Sequence, residues 1–365
     1  MQVPTHSLKE SIKVAAPGRI CLFGDHQDYL GLPVIACAIN RYIYLNARIN
    51  NNKMLRIHMP DIKTERVIDL QKPLLPANSR DYFISAIKVL QDIGCTIDVG
   101  YDVQISGDIP INAGLSSSSA LVVAWITFLL DAFGAGTKVT PELIARLAYR
   151  TEVLEYNEPG GLMDQYTISI GNLLFINTVD GSHKIINKEL ESLIVGESGI
   201  PKQTLGTLKN LRDVALQAIS SVQAEVKDFK IENSTVDDYA KLKHHVPEDL
   251  QPVFYAAINN YAITKEAFQA LNNAEIDLDK IGNLMTMHHD ILKDVLKITV
   301  PLIDYMINAA LSAGAYGAKI VGSGGGGSIA ALSSKENEEK VIKAMLEAGA
   351  KSAYKVRIVG GVHVI

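Results

Sequence analysis

Four consecutive serines, Ser116 to Ser119, stand between Gly114-Leu115 and an apolar run from Leu121 to Leu130. The full stretch, Pro110 to Ala120, reads P-I-N-A-G-L-S-S-S-S-A. Small residues and hydroxyls at the mouth of a helix make a cradle for phosphate, because the first helical turn has unpaired N–H groups and a partial positive charge. Gly114 lets the backbone come close to a ligand, and the serines add hydroxyl donors and a ligand for Mg²⁺. A serine-rich cap on a core helix would use the same residues, so the phosphate reading depends on what accompanies it.

Two other segments accompany it. Ala16 to Asn40 begins as a strand at Ile20 to Phe23, breaks at Gly24 into a turn with Asp25, His26, Asp28 and Tyr29, and resumes as a strand at Val34. Apolar strands around a charged turn place polar side chains at a sheet edge, where ligands commonly sit. An isolated D-x-x-D is more often an ordinary solvated hairpin turn. Nearer the C-terminus, Lys319 to Val321 and Ser328 to Leu332 read as strands around Gly322 to Gly327, five glycines in six residues. Ordering such a run costs much chain entropy. So little side-chain bulk implies close approach of the backbone to a ligand or to another loop.

These segments, with Gly160-Gly161-Leu162-Met163-Asp164-Gln165 as a fourth, resemble the superfamily of galactokinase, homoserine kinase, mevalonate kinase and phosphomevalonate kinase. The resemblance covers nearly the whole chain and is closest to galactokinase-like sugar kinases, whose catalytic aspartate lies in a G-I-M-D-Q segment. It implies an α+β fold of two domains with the active site between them. Residues 1–195 would form a domain like the second domain of ribosomal protein S5, carrying the serine loop and a sugar-binding turn. Residues 196–365 would form a ferredoxin-like domain carrying the glycine-rich loop. It implies an ATP- and Mg²⁺-dependent kinase that moves the γ-phosphate to a sugar hydroxyl, the anomeric hydroxyl of galactose or of a related uronic acid, arabinose or fucose. Gly322 to Gly327 and Glu197 to Lys202 are nearer the mevalonate kinase pattern. Mevalonate kinase is therefore the first alternative, and a sugar- and ATP-binding regulator without turnover the second.

The same resemblance implies the roles. Asp164 is the base and Arg19, in A-P-G-R, its cationic neighbour. Gly114, Leu115, Ser116, Ser117, Ser118 and Ser119 hold the phosphates. Ser118 and Glu152 are the Mg²⁺ ligands, the serine register being open by one position. Asp25, His26, Asp28, Tyr29, Gly161 and Asp164 contact the sugar. The residue types suit this chemistry. A guanidinium beside Asp164 keeps that carboxylate ionised and offsets transition-state charge. Carboxylates accept hydrogen bonds from vicinal sugar hydroxyls and would repel a carboxylate substrate. One carboxylate and one hydroxyl, completed by water and phosphate oxygens, suit a hard octahedral cation. There is no G-x-x-x-x-G-K-[ST], so the phosphate site is not of the Walker type. The adenine pocket is sought in Met54 to Ser79.

Alternating strand and helix patterns must carry these groups. Ser79 to Ile93 reads as an amphipathic helix and Tyr101 to Ser106 as a strand. Leu121 to Phe133 is apolar nearly all round, hence a buried central helix. Thr140-Pro141-Glu142 opens a further helix with a cap and a first-turn proline, and Asn172 to Ile176 is a strand. Helices follow at Thr204 to Val226, Leu250 to Leu271, Leu278 to Leu296 and Val300 to Ala313, with further strands at Lys319, Ser328, Tyr354 and Val362 to Ile365. His288 and His289 are neighbours on a helix, about 100° apart, and so read as packing or interdomain residues rather than a chelating pair.

The chain of 365 residues is 47% apolar and 21% charged, ordinary for a globular enzyme of two domains or one large one. A net charge of −5 gives no reason to expect nucleic acid or an anionic membrane as a partner. No apolar run reaches transmembrane length, and Met1 to Lys13 has no signal-peptide core. Cys21, Cys37 and Cys95 read as buried thiols of a reducing compartment, so a cytoplasmic location is expected. Oligomeric state is not legible from these features.

Overall fold

A computed structural model describes residues 8–202 and 205–365, so Met1 to Ser7 and the expected helix start at Thr204 lie outside the described residues. In chain order the strands and helices begin with β1 (Ser11–Phe23), β2 (Val34–Ile49), β3 (Met54–Met59), β4 (Thr64–Asp69), α1 (Tyr82–Gln91) and β5 (Tyr101–Gly107). Then come α2 (Ser117–Phe133), α3 (Pro141–Glu152), α4 (Met163–Ile170), β6 (Leu173–Ile176), β7 (His183–Ile185) and β8 (Ser192–Glu197). The mostly helical stretch holds α5 (Leu205–Glu225), α6 (Val236–Leu242), α7 (Gln251–Leu271), α8 (Leu278–Asp290) and α9 (Pro301–Ser312). The chain closes with β9 (Ala315–Val321), β10 (Ser328–Ser333), α10 (Glu338–Glu347), β11 (Ser352–Val356) and β12 (His363–Val364).

Among the described residues the strands form two sheets. The larger has the order β12-β1-β2-β5-β3-β4, with β6 and β7 continuing from the first half of β2. β1 and β2 pair along nearly their whole length, but the register slips between Pro17 and Gly18 and again between Cys21 and Phe23. Pro17 has no N–H to give the ladder, and such bulges re-aim the side chains next to them. Arg19 lies between the two slips. The smaller sheet is antiparallel in the order β11-β8-β10-β9, the ferredoxin-like arrangement.

The expected division after residue 195 falls within a paired strand. All of Ser192 to Glu197 pairs with β10 and β11, so a cut there would split β8. The chain changes sheet between β7 and β8. After β11 it returns, since β12 pairs with β1 and Ile358 bridges Ile39.

Local chemistry explains the helix starts. Asp81 caps α1 by accepting the Ile84 N–H at 3.2 Å, which sets the start at Tyr82 rather than Ser79. Thr140 accepts from Leu143 N–H at 3.2 Å and Pro141 occupies the first turn of α3, as expected. The expected helix over Leu278 to Leu296 is α-helical only to Asp290 and finishes in a π-helical turn, Ile291–Val295.

α2 is buried nearly all round, with Trp125, Phe128 and Leu129 packed between the large sheet and its neighbouring helices. The same core runs on to Leu193, Val195, Ala330 and Leu332 of the small sheet, so apolar burial joins the two sheets. The opposite face of the small sheet packs on Ile303, Met306 and Ile307 of α9 and on Val341 and Met345 of α10. The three cysteines are buried thiols. Among the described residues no helix is long and apolar enough to cross a membrane.

α8 meets β9 backbone to backbone. A Cβ on Gly317 would fall into the Gly282 carbonyl, and one on Gly282 into Tyr316. Gly317→Ala is therefore expected to destabilise the protein by on the order of 1–3 kcal/mol. The denaturant midpoint measures it, and an unchanged midpoint would show that the two elements do not pack at this distance.

Candidate active site

Arg19 gathers the site. Its Nε donates to Asp164 Oδ1 at 2.7 Å and its Nη2 to Oδ2 at 3.1 Å, a fork-on-fork pair. Its Nη1 donates to the Gly114 carbonyl, and its backbone N–H to Leu115 O at 3.2 Å. One residue of β1 thus holds both the serine loop and the carboxylate of α4. Ser116 lies in the left-handed region at φ 61°, unusual for a residue with a side chain, and its hydroxyl donates to Asp164 Oδ2. Burial pushes the Asp164 carboxyl up. The Arg19 charge, its hydrogen bonds and the Ser116 hydroxyl outweigh burial and leave it below its ordinary value.

The glycine run makes close contact with other loops. A Cβ on Gly114 would stand 2.7 Å from the Val321 carbonyl, and one on Gly327 3.0 Å from that of Ala113. Gly325 N–H donates to Ile298 O at 2.7 Å and Gly327 N–H to Ile200 O at 2.8 Å. The run braces the serine loop from behind, and five of its backbone angles lie at positive φ, where glycine is favoured.

Two cavities meet at the start of α2. One, of about 630 Å³, is mostly apolar, walled by Ile43, Met59, Ile62, Ile105, Leu121 and Ile200, and reaches Ser117 and Ser118. Of the expected adenine region, Met59, Asp61 and Ile62 line it. The other, of about 490 Å³, holds Arg19, Asp28, Tyr29, Ser118, Ser119, Glu152, Gly161 and Asp164. Asn112 and Ser118 border both. The sites expected for nucleotide and acceptor are therefore adjacent across Ser118.

Glu152 is buried. Burial raises its carboxyl, while hydroxyls of Ser119 and Ser118 and the Gln165 amide, 2.7 Å from Oε2, pull the other way. Among the described residues no three His, Cys, Asp or Glu side chains cluster to hold a metal. A carboxylate beside serine hydroxyls at the mouth of the phosphate loop still fits a hard cation that takes its other ligands from phosphate and water.

Asp28 packs directly on Gly161, where a Cβ would collide with its carboxylate. Burial and the nearby Asp164 charge push Asp28 up to about 7. Asp25 differs from the expectation. It is only 2% exposed and its carboxylate is taken by Lys319 and by Gly322 N–H at 3.0 Å. His26 Nδ1 lies 3.2 Å from the Tyr29 hydroxyl, which anchors the turn. His288 and His289 are buried, His288 against Phe23, in keeping with a packing role.

The sequence alone did not point to Lys202, Gln165, Asn112 or Lys319. Lys202 lines the second cavity, its backbone N–H donating to Asn112 O at 3.0 Å. Burial and the Arg19 charge lower its ammonium, while Asp164 and Glu152 draw it back up. Its one signal was its place at the end of Glu197 to Lys202.

Family models match three parts of this chain: the GHMP kinases N-terminal domain over residues 81–172, the GHMP kinases C-terminal domain over 265–351, and the galactokinase galactose-binding signature over 6–49. The chain belongs to the GHMP kinase superfamily. Kinases of this superfamily use ATP as phosphate donor. A galactokinase of Chloroflexus aurantiacus is 29% identical over 91% of this chain and 86% of that protein. A mevalonate kinase of Thermococcus sibiricus is 28% identical over 90% of this chain and 91% of its own length. Among solved structures, Lactococcus lactis galactokinase complexed with galactose superposes with a TM-score of 0.85, at 23% identity over 98% of this chain and 96% of that one. Methanococcus jannaschii mevalonate kinase gives 0.71 at 21% identity over 98% of this chain and 100% of that one. These likenesses agree with the two-sheet fold described above.

Arg19→Met would strand the Asp164 charge in this kinase. A loss of about 2–3 kcal/mol is expected, below the full value of a broken buried pair because Asp164 keeps some water contact. The depressed Asp164 carboxyl stabilises the fold above its unfolded pKa, about 4, and loses that contribution as pH falls. The penalty should therefore be full at neutral pH and shrink below pH of about 4. Denaturation of both proteins across pH tests this, and a pH-independent difference would contradict it.

Proposed function

We propose that this kinase transfers the γ-phosphate of ATP to a sugar hydroxyl, the anomeric hydroxyl of galactose or of a related monosaccharide. The observation that carries this reading is an ionised carboxylate, Asp164, in a cavity that also holds Asp28 and opens beside the serine loop. The match of residues 6–49 to a galactose-binding signature supports the substrate class.

The apolar cavity takes the adenosine, and the backbone of Gly114 to Ser119 takes the phosphates at the start of α2. Ser118 and Glu152 hold Mg²⁺, which when bound supplies charge neutralisation on the phosphates. Asp164 accepts the hydrogen bond of the attacking hydroxyl and orients it toward the γ-phosphate, taking its proton as the new P–O bond forms and the bond from the γ-phosphorus to the β,γ-bridging oxygen breaks, with ADP as the leaving group. Arg19 keeps Asp164 anionic in advance and, with Lys202, places positive charge where negative charge builds up. Asp28 accepts hydrogen bonds from the sugar hydroxyls beside Gly161.

The mevalonate kinase reading draws on relatives such as that of Thermococcus sibiricus and on the Gly322 to Gly327 pattern. Against it stands Asp28, which above about pH 7 carries a negative charge in the acceptor cavity that would repel a carboxylate substrate. A regulator without turnover would have no need of Arg19, Glu152 and Asp164 together.

Asp164→Asn is expected to lower kcat by about 10²–10⁴-fold while leaving ATP affinity nearly unchanged. Turnover within a few-fold of wild type would remove the base. Phosphorylation assays with galactose and with mevalonate decide between the readings, and turnover of mevalonate alone would sink the sugar kinase. Asp28 ionises near pH 7, and only the anion accepts at both oxygens. kcat/KM for galactose should therefore rise through about pH 7, and Asp28→Asn should abolish that rise.

A further inference from the structure

Asp25 sits in the turn that matches the galactose-binding signature, yet its carboxylate is already occupied. One oxygen pairs with Lys319 of β9 and the other accepts the Gly322 N–H at 3.0 Å. Lys319 is fully buried, and its ammonium also donates to Cys21 O at 3.2 Å and to Ile320 O at 2.8 Å. All three ammonium donors are used, and each Asp25 carboxylate oxygen already has a donor although the residue borders the acceptor cavity. The neighbours behave alike: Gln27 is fully buried and its amide meets Thr264 of α7 at 3.3 Å. Asp28 also borders the acceptor cavity, and its Oδ1 accepts the Tyr29 N–H at 2.9 Å.

The far end of this pair matters as much. Gly322 opens the glycine run, and a Cβ there would stand 3.2 Å from the Gly114 carbonyl, the same carbonyl that Arg19 holds. A chain of direct contacts therefore runs from the sugar-side turn through Asp25 and Gly322 to the phosphate loop. We infer that Asp25 is a positioning residue, not a sugar ligand: with Lys319 it fastens the acceptor turn to the glycine run and so sets the distance between acceptor and phosphate. Asp28 alone of the turn's two carboxylates reads the sugar. This inference takes its substrate from the sugar-kinase reading and its geometry from the buried pair.

The test is a cycle of Asp25→Asn, Lys319→Met and the double variant, in two assays. In substrate-free denaturation the pair should be coupled, so that the double variant loses no more than the worse single one. Additive losses would overturn the fastening. In galactose kinetics, Asp25→Asn should lower kcat by on the order of 10–100-fold, as a misplaced acceptor does, with the galactose KM within about threefold. Asp28→Asn should instead raise that KM. A KM raised in Asp25→Asn as in Asp28→Asn, with kcat retained, would make Asp25 a sugar ligand and overturn the inference. Should Lys319→Met not fold, Asp25→Asn, nearly isosteric, still separates the two roles by its kinetics. If the wild-type kinase turned over mevalonate and not galactose, the sugar reading would fall while the denaturation cycle still judged the fastening.

Discussion

The guanidinium of Arg19 is the point on which the site turns. It is nearly buried, so its charge must be matched inside the protein. Asp164 supplies the match, and the Gly114 carbonyl takes a remaining donor. The consequence is geometric as well as electrostatic. The serine loop at the start of α2, a carboxylate in the first turn of α4 and a strand of the large sheet are locked by one side chain. The bulges on either side of Arg19 in β1 are what aim it there.

Backbone contact does the remaining alignment. Loops without side chains can approach until carbonyls and N–H groups meet, and the glycine run does this against Gly114, Ala113, Ile200 and Ile298. Such contacts leave little slack, since no rotamer can absorb a shift. They also explain how a loop belonging to the small sheet shapes the serine loop that leads into α2. The shared apolar core beneath keeps the two sheets in one relative position.

Much of this was legible in the sequence because it lies in short motifs with local causes. The serine loop, the polar turn, the Asp164 segment and the glycine run converge as expected, and α2 is as buried as its composition required. Caps placed α3 to the residue. Four strands escaped: β3 and β4, within Met54 to Ser79, the three-residue β7, and β8, a six-residue run whose role is fixed only by β10 and β11. Long-range pairing of that kind leaves no periodic trace. The same reason hid Lys319. A lysine in an apolar strand next to a glycine run has no local mark of its partner, which lies 294 positions away. The pairing of Asp25 was hidden for the complementary reason, since a carboxylate in a polar turn looks free until its buried cation is found.

Asp164 and Asp28, two of the aspartates that border the acceptor cavity, show how environment separates identical side chains. Asp164 and Asp28 are near enough for the charge of one to raise the other. Burial opposes ionisation of both. Asp164 takes hydrogen bonds from the Arg19 guanidinium and the Ser116 hydroxyl that outweigh burial, whereas the Tyr29 N–H and the Arg19 charge do not outweigh it for Asp28, which keeps its proton to about 7. Paired groups with carboxyls pushed apart in this way divide the work of a site. The more anionic one suits orientation of a hydroxyl and late acceptance of its proton. The other suits reversible hydrogen bonding to neutral polyols, because its charge is cheap to remove and is strengthened by any donor a sugar brings. Arg19 thus makes the difference between them, and Gly161 keeps it, since any side chain there would push Asp28 from its place beside Asp164.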